Sequence, residues 1–266
     1  SQGCKNHVSS LSSLPWIEHF SALGHDFYTP VTATPLRKPY WVHINHSMAE
    51  HIGLSRELLQ NEECLATLSG ANPVNNIPSL AMVYAGHQFG GFSPQLGDGR
   101  GLLLGQLQLS DGIIDVHLKG AGKTPYSRFG DGRAVLRSSI REYLAGEAMH
   151  HLGIPSSRAL CITASQDPVA RESIETAAMV TRLAKTHIRF GHFEYFHTQG
   201  MLDQVKQLAN HVINQFLPEY NDKEDKYAAL LRYSVKNTAE MIAKWQSVGF
   251  AHGVMNTDNM SIIGET

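Results

Sequence analysis

The sequence predicts an α+β fold of two lobes, with a β-rich N-terminal lobe that contains one key helix and a helical C-terminal lobe. Two observations lead to this prediction. Between residues 81 and 183, apolar runs separated by turn residues predict the order strand, strand, strand, helix, strand, strand. From Met201 onward the apolar residues take helical spacing instead, over residues 201–217 and 225–250.

Bulk composition excludes several classes of protein. The 266 residues are 42% hydrophobic and 17% charged, as in an ordinary globular protein, and the formal net charge of -2 gives no electrostatic case for binding nucleic acid or an anionic membrane. Three widely spaced cysteines without a CxxC motif argue against a disulfide scaffold or zinc knuckle. With no bilayer-length apolar run and no signal pattern, we expect a cytoplasmic protein.

Three regions are expected along the chain. Residues 1–80 form an N-terminal extension packed on the lobes, because prolines interrupt it and several aromatic residues need a surface to bury against. Its best helix candidate is residues 54–68. Residues 81–195 form the N-lobe, and residues 196–266 form the start of a truncated helical C-lobe.

A glycine-rich stretch opens the N-lobe. Residues 81–105 contain seven glycines between apolar runs, which predicts strand, glycine-rich turn, strand. Glycine lets the backbone approach a ligand closely, and the guanidinium of Arg100 in this turn could hold a phosphate with two hydrogen bonds. A tight hairpin with a solvent-exposed arginine explains the spacing equally well.

The key helix is predicted to begin near Asp131 and to end before Gly153 and Pro155. Apolar residues recur in it at every fourth position and predict a stripe facing the core, made of Leu136, Ile140, Leu144 and Ala148. Before it, residues 102–109 and 113–118 are two strands joined at Ser110-Asp111-Gly112; after it, residues 157–164 and 176–183 are two more.

A lysine and a glutamate connect these elements. Lys119 follows the strand 113–118, and Glu142 lies on the key helix. A strand lysine paired with a helix glutamate holds nucleotide phosphates in kinase-like folds. Glu147 is the alternative partner, and sequence spacing does not choose between the two.

The familiar nucleotide fingerprints are absent. Residues 120–124, GAGKT, resemble the end of a phosphate-binding loop, but the first glycine of GxxxxGK[ST] would fall at His117. A GxGxxG motif starting at Gly97 fails because Leu102 occupies the third glycine position. Further along, Arg182 and Arg189 bracket a strand end, where an arginine pair in a cleft could neutralise a triphosphate.

Residues 252–259 resemble a rearranged kinase catalytic loop. Kinases use H-x-D-x-x-x-x-N, and His252 and Asn259 have this separation. The aspartate position holds Val254, which cannot accept a proton, and an acid occurs at Asp258 instead. The stretch predicts an inactive kinase-like fold or one with shifted chemistry, unless NTDN is simply a turn.

Four motifs together resemble the selenoprotein O family of kinase-like proteins: GHQFGGFSPQLGDGRG, HLKGAGKTPYSRFGDGRAVLRSSIRE, RFGHFE and FAHGVMNTDNMS. The resemblance covers residues 81–266 strongly and the preceding segment loosely. It implies a protein adenylyltransferase that binds ATP in a flipped orientation with Mg²⁺ or Mn²⁺ and moves AMP onto Ser, Thr or Tyr hydroxyls of protein partners. The family was formerly regarded as pseudokinases, so an ATP-binding scaffold without transfer activity is the alternative. An ordinary phosphotransferase using Asp258 is a third possibility, against which Val254 argues.

The resemblance also implies residue roles. Asp258 corresponds to the catalytic base and Asn259 to a metal ligand. The expected nucleotide-binding residues are Gly97, Gly99, Arg100, Lys119, Asp131, Gly132, Glu142, Arg182 and Arg189. Family members continue into a D-Y-G motif whose aspartate binds metal, and this sequence ends before it, at Thr266. With only Asn259 of the metal pair, the fragment alone is expected to bind metal–ATP poorly and to be inactive.

Overall fold

The computed structural model describes residues 10–88, 91–93, 95–248 and 259–265. Within them it shows the predicted α+β class: a large antiparallel sheet with seven α-helices, consistent with a kinase-like bilobal fold. The strands are β1 Trp16–Ile17, β2 Tyr28–Pro30, β3 Tyr40–Ile44, β4 Leu80–Met82, β5 Gly86–Gln88, β6 Gly91–Ser93, β7 Gly101–Leu109, β8 Gly112–Lys119, β9 Ala134–Val135, β10 Arg158–Ala170 and β11 Ile174–Ala184. The helices are α1 His46–His51, α2 Arg56–Leu59, α3 Glu62–Leu68, α4 Leu136–His151, α5 Phe190–Thr198, α6 Leu202–Phe216 and α7 Lys226–Ser247.

The sheet has the strand order β2-β4-β7-β8-β11-β10-β3, with β1 paired to β7 and β9 paired to β11. The β7–β8 hairpin is confirmed, and its register places Gly101 opposite Lys119. Both strands predicted after the key helix are also confirmed, as the longer β10 and β11. The glycine-rich stretch lies between β4 and β7 and contains an additional small hairpin, β5–β6.

The first 80 residues contribute more to the sheet than their sequence predicts. Strand β3 extends the sheet beside β10, and β1 and β2 pair with β7 and β4. The helix predicted over residues 54–68 is instead two short helices, α2 and α3. The interruption lies at Asn61, whose side chain accepts a hydrogen bond from the backbone N–H of Glu63 and caps α3.

Each face of the sheet packs against a different layer. Leu102, Leu118 and Met179 belong to a core shared with the N-terminal segment. Leu103 points the other way, into a core with Phe196 of α5 and with residues of α6. Because His117 is the register partner of Leu103, its side chain also points to the α5 and α6 side.

The predicted C-terminal helices are present as α6 and α7. In the described ranges, every helix is too short or too polar to span a bilayer.

The predicted orientation of the key helix is wrong. Helix α4 begins at Leu136, after β9, rather than near Asp131. Of the predicted core-facing stripe, Ile140 and Leu144 are 39% and 62% exposed, and Ala148 is exposed too. The physical reason is that the opposite face carries carboxylates that bind cations of the sheet, and these pairs set how the helix is turned.

This orientation predicts a small effect of trimming the exposed stripe. Leu144→Ala should change the free energy of unfolding by less than about 0.5 kcal/mol, because Leu144 is mostly in solvent. Leu118→Ala removes a fully buried side chain and should cost about 2–5 kcal/mol. Urea unfolding of both variants measures the difference, and equal losses would show that α4 packs on its apolar stripe.

Candidate active site

One glutamate of α4 binds two cations of the sheet. The Glu142 Oε2 atom lies 3.2 Å from the Nζ of Lys119, and Oε1 lies 3.3 Å from the Nη1 of Arg182. The structure therefore selects Glu142 over Glu147 as the partner of Lys119. It also joins Arg182 to this pair, whereas the sequence predicted Arg182 only as one of two arginines at a strand end.

The electrostatics of this group favour an ionised glutamate. Burial raises the pKa of Glu142, but the charges of Arg182 and Lys119 outweigh burial and leave the pKa below its ordinary value. Burial lowers the pKa of Lys119, and Glu142 offsets part of that effect. With one carboxylate between two cations, the group retains a net positive charge that can bind phosphate.

Glu147, further along α4, binds a different set of partners. It accepts hydrogen bonds from Arg158 of β10, with Nη2–Oε2 at 3.0 Å, and from the Nδ2 of Asn45 at 3.1 Å. Asn45 precedes α1 and caps it through Met48. Glu147 therefore ties α4 to the β10 edge of the sheet and to α1.

Five of the predicted nucleotide residues line one cavity of about 380 Å³: Gly97, Gly99, Arg100, Asp131 and Gly132. Two loops meet there, because the Gly122 N–H donates to the Gly132 carbonyl at 3.0 Å. Gly132 has a φ of +74°, and a Cβ on it would lie 2.0 Å from the Gly122 carbonyl carbon. Only glycine allows this approach of the two loops.

The same cavity is strongly basic. Arg133 and Arg171 line it beside Arg100, against the single carboxylate of Asp131. Arg171 binds Asp131 with two hydrogen bonds of 2.8 and 3.1 Å, and these lower the pKa of the Asp131 carboxyl. Sequence reasoning missed Arg171 as part of this site, because it lies 40 residues from Asp131, in a turn between β10 and β11 that belongs to none of the motifs.

A second cavity of about 100 Å³ contains Arg182, Arg189 and Asn259. Arg189 precedes α5, and its guanidinium lies 4.7 Å from the centre of the Tyr84 ring and 3.8 Å from the Asp98 carboxylate. Arg100 from the first cavity and Arg182 from the second both lower the pKa of Glu142, so this glutamate lies within electrostatic range of both cavities.

The metal prediction is only partly covered by the described residues. Asn259 and Glu265 offer an amide and a carboxylate in the second cavity, and the buried Oε2 atom of Glu265 makes no hydrogen bond to the residues that the structure describes. Oxygen donors of this kind suit Mg²⁺, which completes its coordination with water and phosphate oxygens. The described part of the chain holds no group of three His, Cys, Asp or Glu residues able to bind a metal by itself.

The predicted base, Asp258, lies outside the described residues, as do His252 and Val254.

Comparisons with known proteins agree with the family resemblance. A family model described as "Protein adenylyltransferase SelO" matches residues 10–266. Proteins named "Protein nucleotidyltransferase YdiU" from Burkholderia vietnamiensis and Vibrio atlanticus are each 51% identical over 97% of this chain, covering 50% and 54% of the respective relatives. A relative of the same name from Hahella chejuensis is 48% identical over 97% of this chain and 53% of its own length. The chain thus spans about half the length of the curated relatives it matches.

Buried histidines of the fold predict a pH dependence of stability. Burial lowers the pKa of His117 and His192 to about 3 and that of His211 to about 4, against about 6.5 in an unfolded chain. Below pH 6.5 the unfolded chain therefore takes up protons that the folded protein does not. Each histidine should remove roughly 1.4 kcal/mol of stability per pH unit as the pH falls from 6.5 to 4.5.

The variant His192→Asn isolates one of these contributions. Asparagine retains an acceptor for the Arg189 N–H, which His192 Nδ1 binds at 2.9 Å, but does not titrate. Burial raises the pKa of Glu265 to about 7, so this residue adds stability to the folded protein as the pH falls, opposite to the histidines. The contribution is the same in both proteins and cancels in the comparison. Urea midpoints at pH 6.5, 5.5 and 4.5 should fall less steeply for His192→Asn, and identical slopes would contradict the neutral state of His192.

Proposed function

This chain belongs to the protein adenylyltransferase SelO family, and on that premise we propose that the protein transfers AMP from ATP to Ser, Thr or Tyr hydroxyls of target proteins. The observation that supports this most is the position of Glu142. It binds Lys119 and Arg182 and lies within electrostatic range of both the glycine-lined cavity and the cavity of Arg189 and Asn259. The family's description does not support the alternative of a pseudokinase scaffold.

A flipped orientation of ATP fits the charge of the glycine-lined cavity. Three guanidinium groups against one carboxylate leave a net charge of about +2 there, which disfavours a neutral adenine and favours the β- and γ-phosphates. Arg100 is exposed, and its side chain makes no hydrogen bond within the described part of the chain, so it is free to bind a phosphate. With the terminal phosphates in this cavity, Lys119 and Arg182 are left for the region of the α-phosphate.

The proposed reaction is an in-line displacement at the α-phosphorus. The target hydroxyl oxygen forms a bond to this phosphorus, the bond to the bridging oxygen of the β-phosphate breaks, and pyrophosphate leaves. Asp258 accepts the hydroxyl proton, and Lys119, Arg182 and Arg189 offset the negative charge on the phosphates. The three cations are held by Glu142 and Asp98 before ATP arrives, so little reorganisation is needed on binding.

A divalent metal, Mg²⁺ or Mn²⁺, is part of the proposal. Asn259 would hold it together with phosphate oxygens, and when bound it would stabilise negative charge on the phosphates.

The test uses the full-length protein with ATP labelled either at the α- or at the γ-phosphate, and intact-mass detection of modified protein. We expect the α-label to be transferred and the γ-label not, with an AMP-sized adduct. Asp258→Ala should lower transfer by at least about a hundredfold, the usual contribution of a general base. Asp225→Ala, an exposed acid paired with Arg232, is the matched control and should leave transfer unchanged.

Transfer of the γ-label, or a phosphate-sized adduct, would contradict the proposal and indicate a kinase. ATP binding without any adduct, on the protein itself or on proteins of a cell lysate, would contradict transfer and leave a scaffold.

A further inference from the structure

We propose that His117 is a positioning residue that fixes the guanidinium of Arg182 and joins it to the Asp98–Arg189 pair, so that both arginines meet the nucleotide phosphates in a set geometry. This inference rests on the proposed function for its consequence, but not for its geometry. His117 was singled out in the sequence only because it breaks the phosphate-binding-loop motif, and no part of the reaction proposed above uses it.

The contact with Arg182 defines the state of the ring. His117 is 1% exposed, and its Nδ1 lies 3.2 Å from the Nη2 of Arg182, its register partner across β8 and β11. An arginine can only donate, because its guanidinium has no acceptor and stays protonated. Nδ1 must therefore carry no hydrogen, and the neutral imidazole carries its proton on Nε2.

The Nε2 atom of His117 faces the carboxylate of Asp98, which in turn faces Arg189. His117 Nε2 lies 3.6 Å from Asp98 Oδ2, and Asp98 Oδ1 lies 3.8 Å from Arg189 Nη1, so both contacts are electrostatic and longer than a hydrogen bond. Asp98 is itself fixed, because its Oδ2 accepts a hydrogen bond of 3.0 Å from the Met82 N–H. Burial raises the pKa of Asp98, but His117, Arg189 and the Met82 N–H outweigh burial and hold it at about 2, so the carboxylate is ionised.

The ring has little freedom to move. It stacks on His187 with centroids 4.6 Å apart, and His187 Nδ1 lies 3.1 Å from Asp115 Oδ2. On the β7 side, a Cβ on Gly101 would lie 2.3 Å from His117 Cε1, so glycine is required for the ring to occupy this place. A held ring gives Arg182 a second fixed contact beside Glu142.

Two fixed contacts matter because arginine has a long and flexible side chain. A guanidinium held before binding loses less conformational entropy when it meets a phosphate. Without the acceptor on His117, Arg182 keeps its charge and its contact with Glu142, but can rotate about that contact. We therefore expect weaker nucleotide binding rather than loss of the chemical step.

The test compares two substitutions of His117 in the full-length protein. In His117→Asn, Oδ1 takes the place of Nδ1 and still accepts from Arg182. His117→Leu keeps a similar volume without an acceptor. The matched control is His211→Leu, a buried histidine stacked on His19 at 4.1 Å in the α6 region, which contacts none of the nucleotide arginines.

We expect His117→Leu to raise the KM for ATP and the Kd for ATP about tenfold, the effect of one lost fixed contact, with kcat within about twofold. His117→Asn should bring both constants back to within about threefold of the parent, and His211→Leu should lower the unfolding midpoint without changing them. Equal KM changes in the Leu and Asn variants, or an equal change in His211→Leu, would mean that His117 only supports the fold.

A second measurement does not depend on activity or on ATP binding, and it uses the folded His117→Asn variant only to assign one signal. In the ¹⁵N spectrum of histidine-labelled protein, the signal absent from His117→Asn should show a protonated Nε2 and an unprotonated Nδ1. A protonated Nδ1 would overturn the inference. If the parent protein transfers no AMP but shows this tautomer, and ATP binding responds to His117→Leu, then the proposed function fails while the role of His117 stands.

Discussion

The carboxylate of Glu142, shared between Lys119 and Arg182, is the interaction on which the site depends. It fixes the rotation of α4, because the helix must present this residue to β8 and β11. It also leaves the apolar side chains of Ile140 and Leu144 in solvent. Leu136 and Tyr143 of α4 still pack against the sheet, so the helix is held both by apolar contacts and by ion pairs that set which residues face the site.

The charged groups around this carboxylate differ in how deeply they are buried. The group of Lys119, Glu142 and Arg182 is partly exposed and keeps net positive charge. Behind it, His117 and Asp98 are almost fully buried and are held by backbone and ring contacts. This arrangement suits the proposed function, in which the partly exposed cations bind and release a nucleotide and the buried layer keeps their geometry.

Sequence reasoning reached the elements whose signals are local. Apolar runs and a Ser-Asp-Gly turn predicted the β7–β8 hairpin, and the spacing of apolar residues predicted α6 and α7. It missed β1, β2 and β3, which have two, three and five residues and owe their existence to partners far along the chain. The rotation of α4 was predicted wrongly because the apolar spacing was taken as the core face, whereas ion pairs with β8, β10 and β11 decide it.

The residues of the site divide in the same way, into those with a local signal in the sequence and those placed by distant contacts. Lys119 and Glu142 were predicted as a pair from their elements, and the choice against Glu147 needed the distance. The roles of Arg171 and His117 give no signal in the sequence, since they come from contacts with Asp131, 40 residues away, and Arg182, 65 residues away. The roles of Asp258 and of the other nucleotide residues remain predictions from the family motifs.

In the proposed function, Glu142 organises the cations that bind the nucleotide, while Glu147 only anchors α4. Calorimetric titration of the full-length protein with Mg²⁺–ATP tests it most directly, using Glu142→Gln and Glu147→Gln as isosteric partners on one helix. We predict that Glu142→Gln weakens ATP binding at least about tenfold, since charge-assisted contacts to Lys119 and Arg182 are lost. Glu147→Gln should bind ATP within about twofold of the parent protein. Equal affinities in the two variants, or a larger loss in Glu147→Gln, would contradict this account.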